Sequence, residues 1–185
     1  MTRYWRSIVI VFGILVVGAV LALLVGNIIG EDGASSDATS NATLECSSNI
    51  DVIPKVPDEF NVIQGVAAIN SSHQHQLGRR GTDDSPQSSL LFAKMALLVR
   101  PQQKFHVTLG EDDLELARIG WSAVTARSPV QHLSVGPCDG DPDTWLVFAG
   151  GVWVADRGCV ELVFGTSNGS ATAMLSIGQR CPSAA

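Results

Sequence analysis

The run TWLVFAGGVWVADRGC, Thr144 to Cys159, holds two apolar stretches, Leu146–Ala149 and Val152–Ala155, divided by Gly150-Gly151. How the two glycines are read decides the fold. A phosphate-cradling loop needs a pattern such as GxGxxG or GxxxxGK[ST] placed between a strand and a helix. Here no lysine follows the pair and no helical pattern comes after it. A Gly-Gly pair can also form a type I′ hairpin turn, whose two central residues both take positive φ. The third reading, which we favour, is one strand from Trp145 to Val154 in which the glycines give a bulge or a flat spot. On an unbulged strand Trp145, Val147, Ala149, Gly151 and Trp153 share one face. Leu146, Phe148, Gly150, Val152 and Val154 share the other. Both faces are then apolar, as in a strand buried on both sides. Trp145 and Trp153 are expected in the core, and Gly150 and Gly151 are expected to be structural, leaving space for an aromatic ring from a neighbouring strand.

The surrounding chain repeats this strand character. FNVIQGVAAI (Phe60–Ile69), LFAKMALLV (Leu91–Val99), KFHVTL (Lys104–Leu109), LARIGWSAV (Leu116–Val124), VQHLSV (Val130–Val135), CVELVFG (Cys159–Gly165) and SATAMLSIG (Ser170–Gly178) are short, and Gly, Pro, Asn or Asp separate them. Val160, Leu162 and Phe164 share a face, as do Ala173, Leu175 and Ile177. Strands at about 8–12-residue spacing imply a mainly β domain, a small β-sandwich of Ig-like architecture.

The four cysteines, Cys46, Cys138, Cys159 and Cys181, are separated by 91, 20 and 21 intervening residues, with no CxxC pair that would suggest zinc. An even count suggests two disulfides. TSNGSA (Thr166–Ala171) reads as a hairpin turn centred on Asn168-Gly169, which brings Cys159 near Cys181. The expected bridges are Cys159–Cys181 and, by default, Cys46–Cys138.

From Ser7 to Gly30 there is no charged residue. As a helix rising about 1.5 Å per residue, such a run spans roughly 36 Å, enough to cross a hydrocarbon core of about 30 Å with some tilt. Arg3 and Arg6 precede it, and Glu31 and Asp32 follow it. Residues 1–6 are therefore expected to be a short cytoplasmic tail, 7–30 an uncleaved transmembrane helix in the cell membrane, and the remainder extracytoplasmic. A cleaved signal peptide has a shorter apolar core, of about 7–15 residues. Residues 31–45 are small, polar and acidic and read as a flexible tether, and residues 46–182 as the domain. Within the domain NSSHQHQLGRRGTDDSPQSS (70–89) has one large apolar side chain, Leu77, and reads as a mobile insert. Setting aside Arg3 and Arg6 from 12 basic residues leaves 10 against 18 acidic ones, a net of −8 outside the membrane. That charge disfavours nucleic acid as a partner.

WLVFAGGVWV, CVELVF and IGQRCP together resemble a group of uncharacterised actinobacterial proteins. These carry one N-terminal membrane segment and a small extracytoplasmic domain ending in two spaced cysteines. The likeness covers Leu91 to Pro182 and rests on Trp145, Gly150, Gly151, Trp153, Cys159 and Cys181. It implies location and architecture, and supplies no activity, cofactor or catalytic residue. A bacterial source would leave the NAT, NSS and NGS motifs unglycosylated.

Chemistry-bearing residues are sparse. His73 and His75, two imidazoles at i, i+2 with Asp83 and Asp84 in the same segment, are the candidate metal ligands. His106 and His132 are each expected to point outward from a strand, and a hydrolase would use one of them with a carboxylate. No GxSxG elbow is present. DGDPD (Asp139–Asp143) has Gly150 where a calcium loop needs Glu, and reads as a turn. The expectation is a non-catalytic envelope protein without a cofactor, which contacts the lipid bilayer through residues 7–30 and binds a protein or envelope partner or serves a structural role. A metal-binding or sensing ectodomain is the alternative.

Overall fold

The computed structural model describes residues 40–79 and 89–182. The expected membrane segment 7–30, residues 31–39 of the expected tether, and Asp83 and Asp84 lie outside them. Among the described residues no helix is long and apolar enough to cross a membrane.

The described chain is mainly β and builds two sheets. The first has six strands in the order β1 (Asn41–Thr43), β10 (His132–Val135), β8 (Phe105–Leu109), β12 (Gly158–Thr166), β13 (Gly169–Ile177) and β5 (Gln74–His75). The second has the order β2 (Asp51–Ile53), β11 (Trp145–Val154), β7 (Leu91–Val99), β4 (Ala67–Ile69) and β3 (Asn61–Ile63), with β6 (Leu77–Arg79) also on β7 and β9 (Ala117–Gly120) also on β11. The pairs β1–β10 and β13–β5 are parallel. Alternate residues of both sheets meet in one apolar core that includes Leu133, Val107, Leu162, Phe164 and Leu175 from the first sheet and Leu97, Phe148, Val152 and Ile119 from the second.

The strand β11 runs unbroken through Gly150-Gly151. It pairs with β7 from Leu146 to Val154, and its other edge is shared end to end by β2 and β9. Both glycines are required by close approach of backbone. A Cβ on Gly150 would fall onto the Gly120 carbonyl and 2.7 Å from the Trp121 Cα, and one on Gly151 would fall onto the Ala93 carbonyl and 2.8 Å from the Phe92 ring. So a ring does lie over the strand, Phe92 over Gly151, and Phe92 also contacts Trp153 at a centroid distance of 4.5 Å. Trp145 and Trp153 are buried on the face turned away from the shared core. Trp145 packs there with Ala68 and Leu98 beneath Val56 and Phe60, and the Arg100 guanidinium sits 4.6 Å from its ring centroid. The fully buried Trp121 is a further anchor: its indole Nε1 donates to the Met95 carbonyl over 3.2 Å, which satisfies the one polar atom of the ring.

Both bridges are present, Cys46–Cys138 with a Cα–Cα distance of 5.4 Å and Cys159–Cys181 with 5.6 Å. Three boundaries differ from the sequence reading. Ordered structure begins before Cys46: β1 lies within the expected tether, and Leu44 is buried. Ala42, Leu44 and Cys46 alternate inward, a period-two pattern that the polar residues between them mask. The segment 70–89 is an insert only in part, because β5 and β6 join its first half to both sheets. Backbone pairing there needs no apolar run, and the single large side chain, Leu77, packs on the core beside Gly178. Finally, the β12–β13 hairpin pairs Thr166 with Gly169, so its two-residue loop is Ser167-Asn168, one position earlier than expected.

Candidate functional site

Strand alternation places the chemistry of the six-stranded sheet on its outer face. In β8 the residues Phe105, Val107 and Leu109 are buried, which turns His106 and Thr108 outward, with Lys104 in line ahead of them. In β10 Leu133 and Val135 are buried, which turns out His132 and Ser134. The antiparallel register sets Ser134 opposite His106 and His132 opposite Thr108. Outside these, β1 places Thr43 beside Ser134, and β12 places Gly165 beside His106.

The two imidazoles meet across the strands. Their centroids are 5.2 Å apart with planes inclined by 22°. The room for this comes from Gly165, since the His106 ring occupies the space that a Cβ at 165 would fill. His132 Nε2 lies 3.3 Å from Ser134 Oγ. The pKa of His132 is lowered from 6.5, first by burial and then by the charge of His106. Both effects penalise the imidazolium form. A shallow depression surrounds the pair, lined also by Thr43, Lys104, Ser134 and the start of the β12–β13 loop, and no acidic residue lines it. Beyond Thr108 and Val163 the same face changes sign: Glu111, Asp112, Asp113 and Glu161 line a second depression. There the Asp113 carboxylate accepts from the Glu161 amide at 2.7 Å.

The other sequence candidates fall elsewhere. His73 Nδ1 is 3.1 Å from Asn70 Oδ1, and His75 donates from Nε2 to the Asn70 carbonyl at 2.6 Å. One ring nitrogen of each is thus engaged locally, and Asp83 and Asp84 are outside the described residues. Among the described residues no three His, Cys, Asp or Glu side chains gather as a metal site. Asp139–Asp143 forms a turn in which the Asp141 carboxylate accepts from the Asp143 amide at 2.9 Å. His106 and His132 both face outward, as expected, but each has the other as its neighbour rather than a carboxylate. Their pairing is what the sequence reading misses. It depends on the β8–β10 register, which no local pattern encodes, although FHVTL and HLSV share the alternation of an imidazole followed two residues on by a hydroxyl.

Comparison with protein-family models, with curated proteins and with solved structures finds no match to this chain.

Proposed function

We propose that the chain is a membrane-anchored, extracytoplasmic binding module of the cell envelope, without a catalytic role of its own. In this reading its two sheets form a sandwich of Ig-like architecture. The outer face of the six-stranded sheet engages a protein or envelope partner. The observation that carries the binding role is the flat, hydroxyl- and imidazole-bearing depression at His106 and His132, built from four adjacent strands. Support for location comes from the uncharged run 7–30 with arginines before it and acids after it, and from the absorption of all four cysteines into bridges, which suits an oxidising compartment. The actinobacterial likeness at Trp145–Cys181 points the same way. The alternative of metal sensing through His73 and His75 has less support, since Asn70 occupies a nitrogen of each ring.

The test is site-specific photo-crosslinking in intact cells. A photoreactive residue at Ser134 should give a discrete adduct, and one at Val62, exposed on the edge strand β3 of the other sheet, should not. Equal adducts from both positions, or none from Ser134, would remove the proposed face. Thiol labelling of intact cells after reduction addresses location separately: cysteines reachable only after lysis would place the domain on the cytoplasmic side.

A further inference from the structure

The depression around His106 and His132 is unusual for its sign. The chain beyond residue 30 is acidic, with 18 Asp and Glu residues against 10 Lys and Arg, and the neighbouring depression on the same sheet is lined by four carboxylates. Yet the polar groups that line the His106 depression, beside Phe105, Val135 and two glycines, are one ammonium, two imidazoles and hydroxyls, with no carboxylate among them. Lys104 makes no ion pair among the described residues, where the one salt bridge is Lys55–Asp58. Two ionisable rings held 5.2 Å apart repel when both are charged, a repulsion that an anion bound beside both rings relieves.

We infer that this depression, the binding face proposed above, takes the oxyanion of a phosphate ester, held between His106, His132 and Lys104 with Ser134 and Thr43 as hydroxyl donors. The inference rests on the binding-module reading and gives its ligand a chemical class. Three alternatives fit the lining less well. A metal ion would find only two imidazoles, no anionic ligand, and an ammonium beside them. A neutral sugar could pair with the hydroxyls but would leave the Lys104 ammonium without a counter-charge. An apolar ligand would leave the donors unpaired. A tetrahedral anion accepts on every oxygen, and charge-assisted bonds to it are about twice as strong as neutral ones.

Proton uptake follows from the same geometry. The titratable groups that face the site are Lys104 and His106 in line with β8 and His132 on β10; β1 contributes Thr43 and β12 contributes Gly165 and Thr166. The acids Glu111 and Glu161 stand beyond the Thr108–Val163 row. An anion stabilises both imidazolium forms, so binding strengthens as the pH falls through the histidine range.

The experiment uses the full chain in neutral detergent. Its four histidine rings are isotopically labelled and assigned through single His→Asn variants. Titration with inorganic phosphate at about pH 6 should move the His106 and His132 ring signals saturably, with half-saturation in the range of about 1 mM, while His73 and His75 stay in place. At about pH 8 the affinity should fall at least about tenfold. K104Q should weaken binding by about tenfold at unchanged melting temperature. Glycerol 3-phosphate and nanodiscs of phosphatidylglycerol, compared with phosphatidylcholine, then separate a soluble or polymeric ester from a lipid headgroup; binding of either supports the inference and names the source. Binding of inorganic phosphate with exclusion of both esters would overturn the assignment to an ester. Equal drift of all four histidines, matched by sodium chloride, would overturn the site. So would saturation of His106 and His132 by zinc with phosphate silent. A Ser134 crosslink that persists in a phosphate-insensitive protein would sink this inference alone; loss of both would sink the binding face with it.

Discussion

Gly150 and Gly165 carry the same hydrogen side chain and have opposite tolerances. A Cβ at Gly150 meets backbone, the Gly120 carbonyl and the Trp121 Cα, held on both sides by sheet. The three atoms nearest a Cβ at Gly165 all belong to the imidazole of His106, the far end of an exposed side chain rather than backbone. Gly150→Ala should therefore destabilise by about 1–3 kcal/mol or more, the cost of overpacking a filled interior. Gly165→Ala should stay within about 0.5 kcal/mol while separating the two rings, read as loss of the mutual shift between His106 and His132 signals in NMR. Equal melting temperatures for the two variants would contradict this account of the glycines. His132 adds a pH effect. Its folded-state pKa lies below the unfolded value of 6.5, so the folded state binds fewer protons in that range. No penalty exists well above pH 6.5; it grows as the pH falls through that value and is complete below the folded pKa. In phosphate-free, low-salt buffer the melting temperature should drop between about pH 7.5 and pH 5. His106→Asn should lessen the drop by removing the second cause, while the burial contribution stays.

At the scale of elements, β11 shows what a sequence can disclose. Ten residues with apolar side chains on both faces can settle only between two neighbours, and β7 on one edge with β2 and β9 on the other provide them. The β12–β13 hairpin was legible for a related reason. Its turn residues and alternation are local, and they carry Cys159 to the vicinity of Cys181. The strands β1, β5 and β6 were not legible. Each has two or three residues, too few for a period; β1 and β5 owe their conformation to strands distant in sequence, and β6 to the strand that follows it. The His106–His132 pair was hidden likewise: either strand alone predicts an outward imidazole, and only their register makes the two adjacent. Trp121 was hidden because LARIGWSAV looks like one strand, whereas β9 ends at Gly120 and the chain then crosses over Gly150. Trp121→Ala should cost about 3–5 kcal/mol in chemical denaturation, as expected for a large buried aromatic. A loss under about 1 kcal/mol would mean that the indole does not anchor this crossing.

At the scale of the whole molecule, the two disulfides enclose very different lengths of chain, with sequence separations of 92 and 22. In the loop-entropy model a closure near 100 residues is worth about 4.7 kcal/mol and one of about 20 residues roughly 3 kcal/mol. Replacing Cys46 and Cys138 together by Ser should thus lower denaturant stability more than replacing Cys159 and Cys181, and the reverse order would show that native-state packing rather than loop length governs their effect. The Cys46–Cys138 bridge also has a mechanical consequence. β1 is the outermost strand of its sheet and lies parallel to β10, and Cys46 follows it by three residues. If the chain is held from its N-terminus, a pull transmitted along it strains the few hydrogen bonds of β1 first. Once these yield, the sulfur link shunts the force to Cys138, three residues past the end of β10. The 91 residues between the two cysteines are then spared the load, and tension passes by covalent bonds to the strand that carries His132. Stretched in an optical trap between its N-terminus and a handle on β10, the oxidised chain should lengthen by only a few residues before becoming stiff, whereas the reduced chain should pay out the enclosed length.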